Sequence, residues 1–150
     1  DTSSLPNNAN ITSANLIVFL EDNSDSADAR TFTMDWFNWG ATPDTTDYTA
    51  TAGTDAHSGT AISTLTDNAS KTFALSNLTN ISKTGTTYLR GHVSGGSPAG
   101  YNIVQISAFD DVTNAEPRLE VNYELQEPSL VGGKAITNSL LLKHMVGSGR

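Results

Sequence analysis

Segments in which apolar and polar residues alternate recur along this chain, and they restrict what it can fold into. The clearest is RLEVNYEL (118–125), in which every second residue is apolar. Because successive side chains of a β-strand point to opposite sides of the sheet, this alternation predicts a strand with one buried and one exposed face. The expected buried face carries Leu119, Val121, Tyr123 and Leu125, and the exposed face carries Arg118, Glu120, Asn122 and Glu124.

Five other segments have the composition of strands. In RTFTMDWF (30–37), Phe32, Met34 and Trp36 share one face and Asp35 lies on the other. The remaining candidates are NLIVFL (15–20), TFALS (72–76), TYLRGHV (87–93) and YNIVQISAF (101–109). Strands of this length and spacing predict an all-β fold, namely an antiparallel β-sandwich of the jelly-roll type.

The segments between the strand candidates are polar, and one of them has a different period. TAGTDAHSG (51–59) is rich in turn-forming residues and is interpreted as a loop. LSNLTNISKTG (75–85) instead carries apolar residues at intervals of three and ends in Gly85. This predicts one short helix at about 75–84, closed by a glycine in the left-handed conformation.

The length of 150 residues suits one domain, but the two ends of the chain differ from its middle. We expect the sandwich domain to span 1–125 and a C-terminal extension to span 126–150, which begins with the Pro/Gly break QEPSLVGG (126–133). Within the extension, AITNSLLLKHMV (135–146) is apolar enough to need burial on its own sheet or on a neighbour. Its candidate assembly residues are Leu140, Leu141, Leu142, Met145 and Val146.

The opening DTSSLPNNANITSANLIVFL reads as the exit of one strand, a turn and then the next strand. A first strand of the sandwich is therefore expected to be missing from residues 1–125. It would come either from a neighbouring molecule or from sequence preceding Asp1. A sandwich that lacks a strand exposes backbone donors and acceptors along an edge, where another strand can add.

Composition narrows the classes of partner. The net charge is -8, so phosphate backbones and anionic lipids repel the chain, and we predict neither nucleic acid nor membrane as a partner. Charged residues make up only 16%, and Thr, Ser, Asn and Gly take their place, which is typical of extracellular and virion surfaces. There is no cysteine, which excludes disulfides and thiolate metal sites.

The order of several motifs resembles a known group. LPNNANITSANLIVFL, FTMDWFNWG, LSNLTNISKTGTTYLRGHV, YNIVQISAFDD and EPRLEVNYEL follow one another as in the DNRLRE-type β-sandwich domains, which are related to a family of carbohydrate-binding modules. Variants occur in phage structural proteins and in secreted surface proteins. The resemblance covers about residues 5–125 and implies a jelly-roll-like, usually non-catalytic sandwich. The usual Ser-Arg-Glu element of the group is SAFDD here, so a role of that Arg does not carry over.

Two candidate ligand sites follow from residue type. Trp39, with Tyr48 and Tyr101, could stack against sugar rings, since Trp36 and Trp39 would point to opposite faces of a strand. The alternative is a purely structural role, in which Trp39 packs under the following loop. In the acidic stretch EDNSDSAD (21–28), oxygen ligands of the kind that calcium prefers are dense, and the candidate ligands are Glu21, Asp22 and Asp25. A solvated acidic loop is the simpler interpretation, and no other cofactor is expected.

No catalytic motif is present, so we predict that the protein is not an enzyme. The first hypothesis is a structural module of a surface assembly, such as a virion decoration or fibre protein or an extracellular filament subunit. Its partners would be copies of itself or other surface proteins, held by β-strand exchange or by tail contacts. The alternative is a carbohydrate-binding or adhesion module of a secreted protein, with glycans as partners.

Overall fold

The computed structural model describes residues 1–23, 30–94, 104–108, 110 and 113–127. Two antiparallel sheets form the framework of this part of the chain and confirm the predicted all-β sandwich. The strands are β1 (Ala9–Asn23), β2 (Thr31–Trp36), β3 (Thr54–Ala61), β4 (Ala69–Ala74), β5 (Arg90–Ser94), β6 (Val104–Ile106) and β7 (Arg118–Leu125). One α-helix, α1 (Thr45–Thr49), and two 3₁₀ turns, Ile62–Thr64 and Leu78–Asn80, accompany them. No helix in the described ranges is long and apolar enough to cross a lipid bilayer.

The long strand β1 forms the middle of the first sheet. On one side its residues 15–20 pair with β4. On the other side β7 pairs with residues 9–17 and β6 with residues 20–23, so that these two strands follow one another along β1. A bulge at Thr12 interrupts the pairing with β7. The second sheet has the order β3-β2-β5.

Hydrogen bonds join the two sheets along the edges formed by β3 and β4. The amide of Ser76 donates to the carbonyl oxygen of Ala56 (2.8 Å), and Nδ2 of Asn77 donates to the carbonyl oxygen of Asp55 (2.7 Å). The ring Nδ1 of His57 in β3 lies 3.1 Å from the carbonyl oxygen of Ala74 in β4. We call this edge the closed side. Since β1 and β2 lie in the middle, β5, β6 and β7 lie on the opposite edge, the open side.

The core lies between the two sheets, and its centre is fully buried. Val18 and Leu20 of β1 pack there against Met34 of β2 and Phe73 of β4, with Leu16 half-buried beside them. Phe32, Met34 and Trp36 all face this core, as the alternation of β2 predicts. The rings of Phe32 and Phe73 meet across it with centroids 5.2 Å apart.

Two local predictions differ from the structure. TAGTDAHSG, interpreted as a loop, contains most of β3. Ala56 is the fully buried residue of this strand, and backbone pairing with β2 holds its small and polar residues in the strand conformation. The segment 75–84 forms only the 3₁₀ turn Leu78–Asn80, which suits a spacing of three as well as an α-helix does. Gly85 has no positive φ, so the predicted glycine cap is wrong. The short α-helix lies at Thr45–Thr49, where Asp44 and Asp47 form a capping box.

Candidate functional site

The open side differs from the closed side in how well its strands cover the core. On the closed side, Ala56 of β3 and Phe73 of β4 are 0% and 1% exposed although both strands lie at sheet edges. On the open side, the core-facing residues Leu119, Val121 and Tyr123 of β7 are only half-buried. Leu125, the last residue of that strand, is 50% exposed. The core is therefore incompletely covered along β7.

The second sheet ends on the open side in the same way. Val93 of β5 lies opposite Phe32, and residues that face each other across an antiparallel pair project to the same side of the sheet. Val93 therefore faces the core, yet it is 41% exposed. Val93 and Leu125 are the two large apolar side chains that the described residues leave exposed, and each lies on a strand that ends its sheet on the open side.

The backbone of β7 has a defined polarity. The amide of Gln126 donates to the carbonyl oxygen of Asn8 (2.9 Å), and the carbonyl oxygen of Asn122 accepts from Oγ1 of Thr12 (3.2 Å). Even-numbered residues of β7 thus direct their backbone groups towards β1. Because these directions alternate, Val121 directs its N–H and C=O towards the outer edge. Among the residues with described positions, β7 pairs only with β1.

A buried ion pair joins the start of β5 to the end of β2. It lies at the other end of β5 from Val93. Arg90 donates to Asp35 through two parallel bonds, Nε to Oδ1 at 3.1 Å and Nη2 to Oδ2 at 2.7 Å. The side chains are only 15% and 4% exposed. Burial by itself would raise the pKa of Asp35, but hydrogen bonds from Arg90 and from the amide of Gly53, together with the charge of Arg90, lower the pKa below its ordinary value.

The same arginine organises the segment from 37 to 53. Its Nη1 donates to the carbonyl oxygens of Asp47 (2.6 Å) and Ala50 (3.3 Å), at the end of α1, and its guanidinium lies 4.1 Å from the ring centre of Phe37. This segment covers the outer face of β2. Asp35 is buried for that reason, although it lies on the face of β2 opposite Phe32, Met34 and Trp36, as the alternation predicts.

An aromatic pair lies close to this ion pair in the chain. The ring of Trp39 meets that of Tyr88 edge-on, with centroids 5.0 Å apart, and both side chains are half-buried. Trp39 follows the end of β2 and is not part of a strand, so the expectation that Trp36 and Trp39 point to opposite faces of one strand does not apply. Trp36 is buried and donates from Nε1 to the carbonyl oxygen of Ser76 (2.9 Å). The side chain of Tyr48 and all of Tyr101 lie outside the described residues, so the proposed sugar-stacking set is not tested.

The proposed calcium ligands are described only in part. The carboxylate of Glu21 accepts a hydrogen bond from Nε2 of Gln105. The side chain of Asp22 and all of Asp25 lie outside the described residues. Within the ranges that the structure covers, no three His, Asp or Glu side chains come together as a metal site would require.

The candidate assembly residues of the C-terminal extension, from Leu140 to Val146, also lie outside the described residues. Only residues 126 and 127 of the extension are described, and Asn8 binds the first of them through Nδ2, which donates to the carbonyl oxygen of Gln126 (2.9 Å). Residues 126 and 127 therefore lie beside the start of β1, on the open side.

Comparisons with protein-family models, with curated proteins and with solved structures found no match to this chain. The resemblance to the DNRLRE-type domains consequently stays a prediction from the motifs.

Proposed function

We propose that this protein is a non-catalytic structural module of a surface assembly and that neighbouring subunits attach at its open side by adding β-strands. One observation supports this more than any other. Val93 and Leu125 face the core, lie on the strands that end the two sheets, and are 41% and 50% exposed. An additional strand on either edge would cover them.

The energetics favour such an addition. Burying a fully exposed valine or leucine side chain gains about 1.5–3 kcal/mol, so covering the 41% of Val93 and the 50% of Leu125 that are still exposed would gain at most about half of that for each. Edge strands that avoid pairing commonly carry proline or inward-pointing charges. The core face of β7 carries only Leu119, Val121, Tyr123 and Leu125, and the strand contains no proline. The strand has neither of these two features, although Arg118, Glu120 and Glu124 place charges on its other face.

Composition supports the surface setting of this proposal. The chain has a net charge of -8, only 16% of its residues are charged, and it is rich in Thr, Ser and Asn. Such a surface stays soluble at high local density and avoids nucleic acid and anionic lipid. A virion decoration or fibre protein and an extracellular filament subunit both require these properties.

The proposal predicts that the native mass depends on the two exposed core-facing residues. Because both side chains are already exposed, Val93→Lys and Leu125→Lys should leave the fold intact but place a charge where an added strand would pack. The purified full-length chain should have a native mass of two or more chains by light scattering, and the double variant should be monomeric. Thr72→Lys, on the exposed face of β4, is the matched control and should retain the larger mass. A wild-type chain that is monomeric at all accessible concentrations would contradict the proposal.

The C-terminal extension is one possible source of the added strand. If residues 135–146 of a neighbour supply it, removal of residues 134–150 should convert the assembly to monomers. If the native mass is unchanged apart from the shorter chain, the extension is not the donor.

A carbohydrate-binding module is the second candidate, and the contact between Trp39 and Tyr88 favours it. Two adjacent half-buried rings can form one wall of a sugar-binding surface. The test compares polysaccharide binding by the wild-type chain with binding by Trp39→Ala and Trp39→Phe. Stacking predicts loss of binding with alanine and partial retention with phenylalanine. Absence of binding by the wild-type chain across a glycan array would exclude this candidate.

A further inference from the structure

We propose that the outer edge of β7 pairs antiparallel with the outer edge of β7 in a second copy of this chain, about a two-fold axis beside Val121. The inference rests on the proposed function, because it names the partner strand and the register at the same open side. It follows from the backbone polarity of β7 and from the sequence of its two faces.

Backbone polarity decides which residues can face each other. Val121 directs its N–H and C=O away from β1, as the contacts of Asn122 and Gln126 with β1 require. In an antiparallel pair, two such residues directly opposite each other exchange both hydrogen bonds. A two-fold axis at Val121 meets this requirement, since the same residue lies on both sides of the axis.

The exposed face then selects one register. With Val121 opposite its symmetry copy, Arg118 lies opposite Glu124, and the symmetry repeats this pair on the other side of the axis. A shift of the axis by one residue in one direction places Glu120 opposite Glu120. The same shift in the other direction places Glu120 opposite Glu124 twice. Like charges directly opposite each other destabilise strand pairing, so the register centred on Val121 is favoured.

The core face agrees with the same register. Leu119 lies opposite Tyr123 of the second copy, and the two Val121 side chains lie opposite each other. All three side chains face the core and are half-buried in the single chain, so the second copy would cover apolar surface that β1 leaves exposed. Aromatic side chains opposite aliphatic ones are among the favourable cross-strand pairs.

The charged residues are free to take part in this pairing. Arg118 is 43% exposed, and its contact with Glu120 of the same strand is a long one, 3.6 Å between Nε and Oε1. Contacts of this length between exposed groups contribute little to stability. Glu124 is exposed. A second carboxylate can therefore engage Arg118 without a buried contact having to break.

The test uses charge reversal and mixing on the full-length chain, with the native mass measured by sedimentation equilibrium. Arg118→Glu and Glu124→Arg each replace two opposite-charge pairs by two like-charge pairs, so each variant should dimerise at least about tenfold more weakly than the wild type. An equimolar mixture of the two variants should recover the affinity of the wild type, because the mixed dimer again has opposite charges across both pairs. Asp110→Arg is the control, since it removes the same acidic charge from an exposed residue outside β7 and should leave the mass unchanged.

The other outcomes overturn the inference in distinguishable ways. An assembly whose mass is insensitive to both charge reversals, or a mixture that does not recover, refutes the pairing of β7 while the proposed function stands. Conversion to monomers on removal of residues 134–150, with no effect of charge reversal, identifies the extension as the added strand in place of β7. A wild-type chain that is always monomeric refutes both the pairing and the proposed function.

Discussion

The pair formed by Asp35 and Arg90 allows the sharpest prediction about stability. Arg90→Leu removes the cation and leaves the carboxylate of Asp35, which is 4% exposed, with only the amide of Gly53 as a hydrogen-bond donor. Breaking a buried pair from one side costs about 3–5 kcal/mol, because an uncompensated charge stays buried. Arg90 is 15% exposed, so some water can reach the site, and we expect about 3 kcal/mol, at the lower end of that range.

The double variant Asp35→Leu/Arg90→Leu distinguishes the cost of an unpaired buried charge from the loss of the other contacts that Arg90 makes. Replacing both partners by apolar side chains of similar volume removes the buried charge, so most of the loss should be recovered. Recovery should be incomplete, because Arg90 also donates to the carbonyl oxygens of Asp47 and Ala50, which the leucine cannot replace.

Urea denaturation measures this prediction through the midpoint at constant m-value. Lys71→Leu is a matched control, since it also removes one cation from the sandwich but only a distant contact with Phe73, 6.0 Å from the ring centre. It should cost less than about 1 kcal/mol. A loss below 1 kcal/mol for Arg90→Leu, or a double variant no more stable than Arg90→Leu, would refute the reasoning.

The same pair gives stability a defined dependence on pH. The pKa of Asp35 in the folded protein is lower than its ordinary value of 3.8, so the unfolded chain binds the proton more tightly. The contribution of the pair is therefore fully present above that value and is lost as the pH falls through the lower pKa of the folded state. The double variant should lose less stability than the wild type between pH 5 and pH 2, a window of about three units around the unfolded value. Equal acid sensitivity of the two proteins in urea titrations would contradict this.

Three further predictions concern single side chains, and each can be checked by the same urea titration. Ser107→Ala should be neutral or stabilise by about 1 kcal/mol, because the buried Oγ has no hydrogen-bond partner among the described residues. A loss above 1 kcal/mol would mean that the hydroxyl is satisfied. Gly91→Ala should destabilise by about 1–3 kcal/mol, since its Cβ would lie 2.8 Å from Cζ of Phe32, whereas Gly85→Ala, where the nearest atom is 3.9 Å away, should be nearly neutral. Lys83→Met should cost about 1 kcal/mol, because Nζ donates at 3.0 Å to two carbonyl oxygens at the start of β1; no change would show that water replaces it.

The residues that the sequence places correctly are those whose burial follows from local alternation. β7 begins and ends where its alternation predicts, and Phe32, Met34 and Trp36 face the core. The sequence does not predict β3, because its residues are small and mostly polar. Its strand conformation depends on backbone pairing with β2 more than on its own side chains.

The site could be predicted less well than the fold, because its features depend on contacts between distant residues. The capping residues Asp44 and Asp47, three apart, were a visible signal for α1. No local pattern shows that the segment after β2 folds back over Asp35, or that Arg90 is the residue that fixes it. The incomplete cover of Val93 and Leu125 likewise becomes visible only when both sheets are assembled.

The central position of β1 has a consequence for how the chain acquires its fold. Among the described strands β1 is synthesised first, yet its residues 9–17 pair with β7, the last of them. On a ribosome the apolar run of β1 therefore waits roughly ten seconds for its final partner, at the usual rates of synthesis. Pairings between residues so far apart in the chain also slow folding to milliseconds or seconds. We therefore expect chaperones to bind β1 in incompletely synthesised chains, and such chains to aggregate through this strand.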